Sequence, residues 1–259
     1  MTLNLKIRSL QFLNLFISIY GIYYIIKNDE YVYFLISYLI FLLMCPIGIS
    51  CGLHRLFSHR SYKTTIFWER FMLFFSTYAT VGSSVAWVGV HRTHHSTSDR
   101  NGDPHSSYKD GNLKLSKIVS AWSGVGQEES KISISYVKDV LRDPYHKFFH
   151  THYFKIILIP VIILYIINPI FGIFLYSLPA TMSLQTTSVV NVLGHIHGYR
   201  SHETKDKSSN SWIANIISLG EGWHNNHHYN PLNYSTSEKW WEWDLIGIFI
   251  KIISTRNKN

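Results

Sequence analysis

Fifteen of the chain's 259 residues are histidines, and eight of them fall in three short groups. These read His54-Arg-Leu-Phe-Ser-His59, His91-Arg-Thr-His94-His95 and His224-Asn-Asn-His227-His228. On a helix, residues at i, i+3 and i+4 share a face, so each triplet is expected to aim three imidazoles at one point. Two triplets and a pair supply more donors than one ion takes, and neutral imidazole is a ligand for iron, copper and zinc. One triplet alone fits an interfacial cluster, a structural zinc site or an accident; the repeated spacing points to a centre of two metals. Other metal chemistries lack their patterns. No His-Glu-x-x-His supplies the general base of a zinc hydrolase, and the paired Glu-x-x-His motifs of carboxylate-bridged bundles do not occur. A bis-histidine haem protein would carry two or four histidines on apolar spans, whereas these stand at span ends and beyond. A metal transporter would hold its ligands near the bilayer midplane on broken helices.

The elements that must position these groups are apolar and blocked. Leu10 to Ile26, Tyr31 to Ser50, Phe154 to Ile167 and Ile170 to Val192 carry almost no charge. About 20 apolar residues cross a bilayer core, and the short first and third runs are each followed closely by another. The expectation is an all-α integral membrane protein, one domain over residues 1–259, with four transmembrane helices in two hairpins (about 10–26, 31–52, 153–168 and 170–192). Lys and Arg lie before the first span, between the hairpins and after the last, while the hairpin turns hold only Lys27, Asp29 and Glu30, and Asn168 and Pro169. The positive-inside tendency then places both termini and the regions 53–152 and 193–259 in the cytoplasm, all the histidine groups among them. The net charge of +8 suits anionic headgroups; without basic clusters interleaved with stacking aromatics, no nucleic-acid partner is expected. Lys6 and Arg8 precede an apolar run with no small-residue cleavage site, so the first span reads as uncleaved. Cys45 and Cys51 read as small packers, not a disulfide. Ile66 to Val90 reads as an interfacial helix or a fifth span, Asn101 to Asn112 as a loop, and Trp240, Trp241 and Trp243 as an interfacial anchor. No strand-period alternation stands out.

In this order and at these membrane positions the three boxes resemble those of the membrane fatty-acid desaturases, in particular the stearoyl-CoA, or Δ9, type. The likeness runs from about Gly52 to Leu245. It includes His54 through His59-Arg60-Ser61-Tyr62, Asp103-Pro104-His105, Gly194-His195 with Gly198-Tyr199-Arg200, Gly220-Glu221-Gly222-Trp223-His224, and Tyr234-Ser235-x-Ser237-Glu238. The resemblance implies a cytoplasmic helical cap carrying a histidine-ligated di-iron site. It adds His195 to the ligands, making His54, His59, His91, His94, His95, His195, His224, His227 and His228, with Asn191 holding a metal-bound water. His105, His146, His150, His152, His197 and His202 fall outside the pattern and read as surface or interfacial. Asp99, Asp103 and Glu221 stand close to the boxes, either orienting imidazoles through the second ring nitrogen or as solvated loop acids.

The activity implied is O2-dependent insertion of a cis double bond, at Δ9, into a saturated acyl chain on CoA, a membrane lipid or another carrier. Two iron ions carry the chemistry. With no haem domain fused at either end, a separate donor of ferredoxin or cytochrome b5 type is expected. Trp87 matches a family tryptophan at the bend of the substrate tunnel, and an interfacial anchor is its other reading. Counting back from His54 in helical turns puts Ser50, Pro46 and Leu42 along the tunnel. At the headgroup site the chain departs from the animal acyl-CoA enzymes, with Gly82, Val90 and Ser188 at their asparagine, aspartate and tryptophan, and no match near Gly126-Gln127 for their basic pair. A related di-iron hydroxylase or ketolase shares the histidine boxes but not the Gly-Glu-Gly-Trp-His and Tyr-Ser-x-Ser-Glu surroundings.

Overall fold

The computed structural model describes residues 3–122 and 132–255, so the expectation about Gly126-Gln127 lies outside the described residues. The first helix, α1 (Leu3–Asn28), is mainly apolar with no segregated polar face, the pattern of a helix sunk in protein or in lipid. Here protein covers only part of it: Phe16 is 68% exposed and Ile26 62%. Asp29, with φ 55°, turns the chain into α2 (Val32–Leu42), which runs on unbroken as a π-helix over Leu43–Ser58. A polar stretch then holds α3 (Ile66–Tyr78) and α4 (Ser84–Thr97), the latter capped by the Ser83 side chain, which accepts from Ala86 N. α3 lies tight on the π-helix because Gly48 and Gly52 carry no side chain; a Cβ there would sit 2.6 Å from Ser76 N and 2.8 Å from Met72 Cβ.

The loop expected over residues 101–112 holds a two-residue ladder, β1 (Tyr108–Lys109) with β2 (Asn112–Leu113). It closes on Asp110-Gly111, both at positive φ, the sequence such tight hairpin turns favour. Short helices follow: α5 (Leu115–Trp122), α6 (Lys138–Arg142) and α7 (Pro144–Thr151). At His152 the chain bends by 63° into α8 (Tyr153–Ile167). Asn168 caps α9 (Pro169–Gly172), which continues through a π-turn, Ile173–Ser177, into α10 (Leu178–Ile196). After a polar segment come α11 (Trp212–Ser218), α12 (His224–Tyr229) and α13 (Leu245–Ile253).

By length and composition two helices can cross a membrane, Leu5–Asn28 and Val32–Ser58, or three if the bent pair Pro144–Thr151 and Tyr153–Ile167 is one span. α3, at 13 residues, is about 20 Å long and too short to span alone. The segment 169–196 is long enough, but one face is polar, and that face is where it joins α1 and α2. Ser18 donates to the Ser177 carbonyl and bonds Thr181, Ser177 bonds Asn14, and Ser37 donates to the Phe174 carbonyl. Between apolar helices such bonds do the joining that hydrophobic burial does in water.

Candidate metal centre

The imidazoles converge, but not as the triplets suggest. Two nests of ring nitrogens form side by side, one from His54, His59, His91, His95 and His227, the other from His94, His195, His224 and His228. Each triplet is therefore divided. Residues i and i+4 share a nest (His91 with His95, His224 with His228), and residue i+3 (His94, His227) enters the other. The helical period explains this: i+3 and i+4 fall about 60° behind and 40° ahead of residue i, so one helix face feeds two adjacent points.

The first box needs a different backbone. Residues five apart on an α-helix point about 140° apart. On the π-helix, with its i to i+5 hydrogen bonds, they come into line: His59 N donates to the His54 carbonyl, and both rings enter the first nest. The same geometry resets the stripe leading away from His54. The chamber beside the nests is walled by Cys45, Ile49, Ser50, Trp87, Thr186, Val190 and Asn191. Ser50 and Trp87 are there, while Pro46 and Leu42 are not among its walls. Trp87 stacks on His91 at 4.7 Å.

Spacings within the nests suit bound cations. Nε2 atoms meet at 3.0 Å for His54 and His227, 2.7 Å for His59 and His91, and 3.1 Å for His227 with His95 and for His224 with both His195 and His228. Ligands about 2.1 Å from one ion and at right angles stand about 3.0 Å apart. Three rings have their proton fixed at Nδ1 by a carboxylate: His94 by Asp103 at 2.9 Å, His195 by Asp99 at 2.7 Å and His228 by Asp206 at 2.8 Å; His54 Nδ1 lies 2.9 Å from Glu221 Oε2 as an ion-pair contact. The Nε2 lone pairs of those three rings then point inward. His224 Nε2 thus faces two lone pairs while its buried Nδ1 has no partner among the described residues, an arrangement that a cation between the rings satisfies.

Electrostatics keep four of the donors neutral, while at His94 burial is outweighed by Asp103 and the neighbouring carboxylates, which raise it above the ordinary histidine value. Burial pushes His91, His95, His224 and His227 well below the ordinary histidine value, and the neighbouring rings add to this. Burial alone would raise the Glu221 carboxyl, but Arg55 and His54 bring it down to about 2. Burial is likewise overcome at Asp103, held low by His94, and at Asp206, held low by His228. Gly194 leaves room for the second nest, since a Cβ there would lie 2.8 Å from the His224 ring.

Two residues read as peripheral are interior. His105 is 8% exposed with its ring 4.7 Å from His94, and His146 is 5% exposed, bonded to Ser84 and packed on Phe57. For His105 a signal existed, two residues after Asp103 in Asp-Pro-His. Asp206 had none: it sits between two lysines in a polar segment, yet it orients His228. Replacing it by Asn removes the charge behind that ring. Losing such an outer partner costs about 10–100-fold in metal affinity, so Asp206→Asn should release metal at that much lower chelator concentration, read by elemental analysis after dialysis.

The fatty acid desaturase family model matches residues 31–244. A sn-1 stearoyl-lipid 9-desaturase of Anabaena variabilis is 31% identical over 84% of this chain and 79% of its own. A protein of the same description from Synechocystis sp. is 34% identical over 84% of this chain and 68% of its own. A probable acyl-CoA desaturase of Schizosaccharomyces pombe is 30% identical over 92% of this chain and 50% of its own.

Proposed function

Because the chain belongs to the fatty acid desaturase family, we propose that it inserts a cis double bond at Δ9 into a saturated acyl chain carried on a lipid or on CoA. The observation that carries this reading is the pair of imidazole nests opening on an apolar-walled chamber. In it, His54, His59, His91, His95 and His227 would hold one iron ion, and His94, His195, His224 and His228 a second. Iron with O2 supplies the oxidising power that removing two hydrogens from unactivated methylenes requires.

The protein's own part is placement and exclusion of water. Asp99, Asp103 and Asp206 hold protons at the Nδ1 atoms of their histidines and so aim the rings, and Glu221 lies against His54 Nδ1. Asn191, on α10 one turn before His195, lies in the chamber wall where it can hold a water beside the second nest. Trp87, Ser50, Cys45 and Ile49 wall a slot in which one methylene pair rests against the first nest. In the membrane, α1, the helix 32–58, α8 and the helix 169–196 make four spans. The nests and both termini face the cytoplasm, where a separate ferredoxin- or cytochrome b5-type donor delivers electrons. The uncovered apolar faces of α1, α2 and α8 support a lipid surround.

Expression in cells fed defined saturated fatty acids tests the function. Mass spectrometry should find new cis-monoenes with the double bond at one position; hydroxylated chains in their place would overturn the reading in favour of a hydroxylase.

A further inference from the structure

The ring of His105 is a buried polar group that neither nest uses. Its backbone is pinned: His105 N donates to Asp103 Oδ1 at 3.0 Å, the same oxygen that accepts from His94 Nδ1 at 2.9 Å. Asp103 Oδ2 accepts from Asp99 N at 2.8 Å, and Asp99 in turn holds His195 Nδ1. Pro104, with φ fixed by its own ring, stiffens the turn between Asp103 and His105. One carboxylate therefore sets His105 in the same frame as two rings of the second nest. His105 is 8% exposed, and its Nδ1 is buried with no partner among the described residues.

The ring stands over the seam between the nests. It packs 4.7 Å from His94. Its further electrostatic neighbours include His195 and His228 of the second nest, and it acts in turn on His91 of the first. Burial, with His94 adding to it, pushes the ring down to about 3, so it is neutral, with one donor and one acceptor nitrogen. A single chamber has Trp87, His91, His105 and Asn191 together in its wall, so the imidazole and the Asn191 amide border the same space beside both nests. The second nest has four rings where the first has five. Buried waters make about three hydrogen bonds, to polar groups that otherwise have no partner.

We propose that His105 and Asn191 together hold one water at this seam, on the chamber side, which makes His105 a positioning residue for the reaction. The inference rests on the desaturase reading, which already gives Asn191 a water, and deepens it by supplying the second holder. The imidazole can accept from that water or donate to it, and the amide offers both an oxygen and N–H groups.

The test uses the purified full chain loaded with cobalt(II), whose visible bands strengthen as its ligands become fewer, and separately with iron for turnover. His105→Phe keeps the ring's bulk and removes its nitrogens. It should keep its metal, strengthen the cobalt bands and lower kcat about 10–100-fold, the usual cost of losing an outer partner, with KM unchanged. His105→Gln, which can still bond a water, should return the wild-type bands and most of the turnover. Asn191→Ala should give the same band change, and His105→Phe added to it should change nothing further, because both act on one water. If His105→Phe does not fold, His105→Ala takes its place in each comparison. A ring that only packs would lower the melting temperature without moving the bands. Wild-type bands in His105→Phe overturn the proposal, as do band changes in the two single variants that sum in the double one. Loss of metal from His105→Phe also overturns it, since the ring would then be a ligand or a prop for one. Should the iron-loaded wild type make no cis-monoene, the desaturase reading fails instead, and the cobalt bands still decide what holds the water.

Discussion

His227→Ala and His94→Ala will each abolish double-bond formation and lower bound metal, whereas His197→Ala will do neither. His227 Nε2 stands 3.0 Å from His54 Nε2 and 3.1 Å from His95 Nε2, so its loss opens the middle of the first nest. His94 is one of only four rings in the second and arrives there with its Nδ1 proton on Asp103. Losing an outer partner of a ligand already costs about 10–100-fold, so losing a ligand should leave turnover below about one-hundredth of wild type. His197 is exposed and belongs to neither nest. Elemental analysis and gas chromatography of the cell's acyl chains read both effects. Wild-type metal and product in either nest variant would remove that residue from the ligand set.

Arg55→Leu will unfold the site from behind. Arg55 is 1% exposed and donates to Glu221, to Asp244 and to the carbonyls of Tyr234 and Gly220. It thereby ties the first box to the turn before the third and to the cap of α13, where Asp244 accepts from Gly247 N. Removing the guanidinium leaves two buried carboxylates without their cation, which costs about 3–5 kcal/mol. In a domain of this size that is a fall of roughly 10 °C in Tm. Arg55→Lys restores the charge but not the planar fork, so it should recover part of the loss. A melting temperature in Arg55→Leu equal to wild type would show that this network does not hold the cap together.

The convergence of the histidines was legible in the sequence because imidazole clusters with helical spacing have few other uses. The apolar runs were legible for a similar reason, since a helix such as α1 with no polar face has nowhere to go but lipid or a core. Three things needed the tertiary structure. The division of each triplet between two nests depends on where the rest of the fold places the second point, as His54 and His195 do here. The pairing of His54 with His59 depends on a π-helix, whose i to i+5 hydrogen bonds no local propensity announces, and the same wider turn sets Cys45 and Ile49 in the chamber wall and leaves Pro46 and Leu42 out of it. The carboxylates behind the rings come from far along the chain, Glu221 to His54 and Asp99 to His195. Residue types and local spacing determined what this chain can bind. Which nitrogens face one another, and which acids hold their protons, was decided by contacts between residues distant in sequence, because a hydrogen bond depends on separation in space and not on position along the chain.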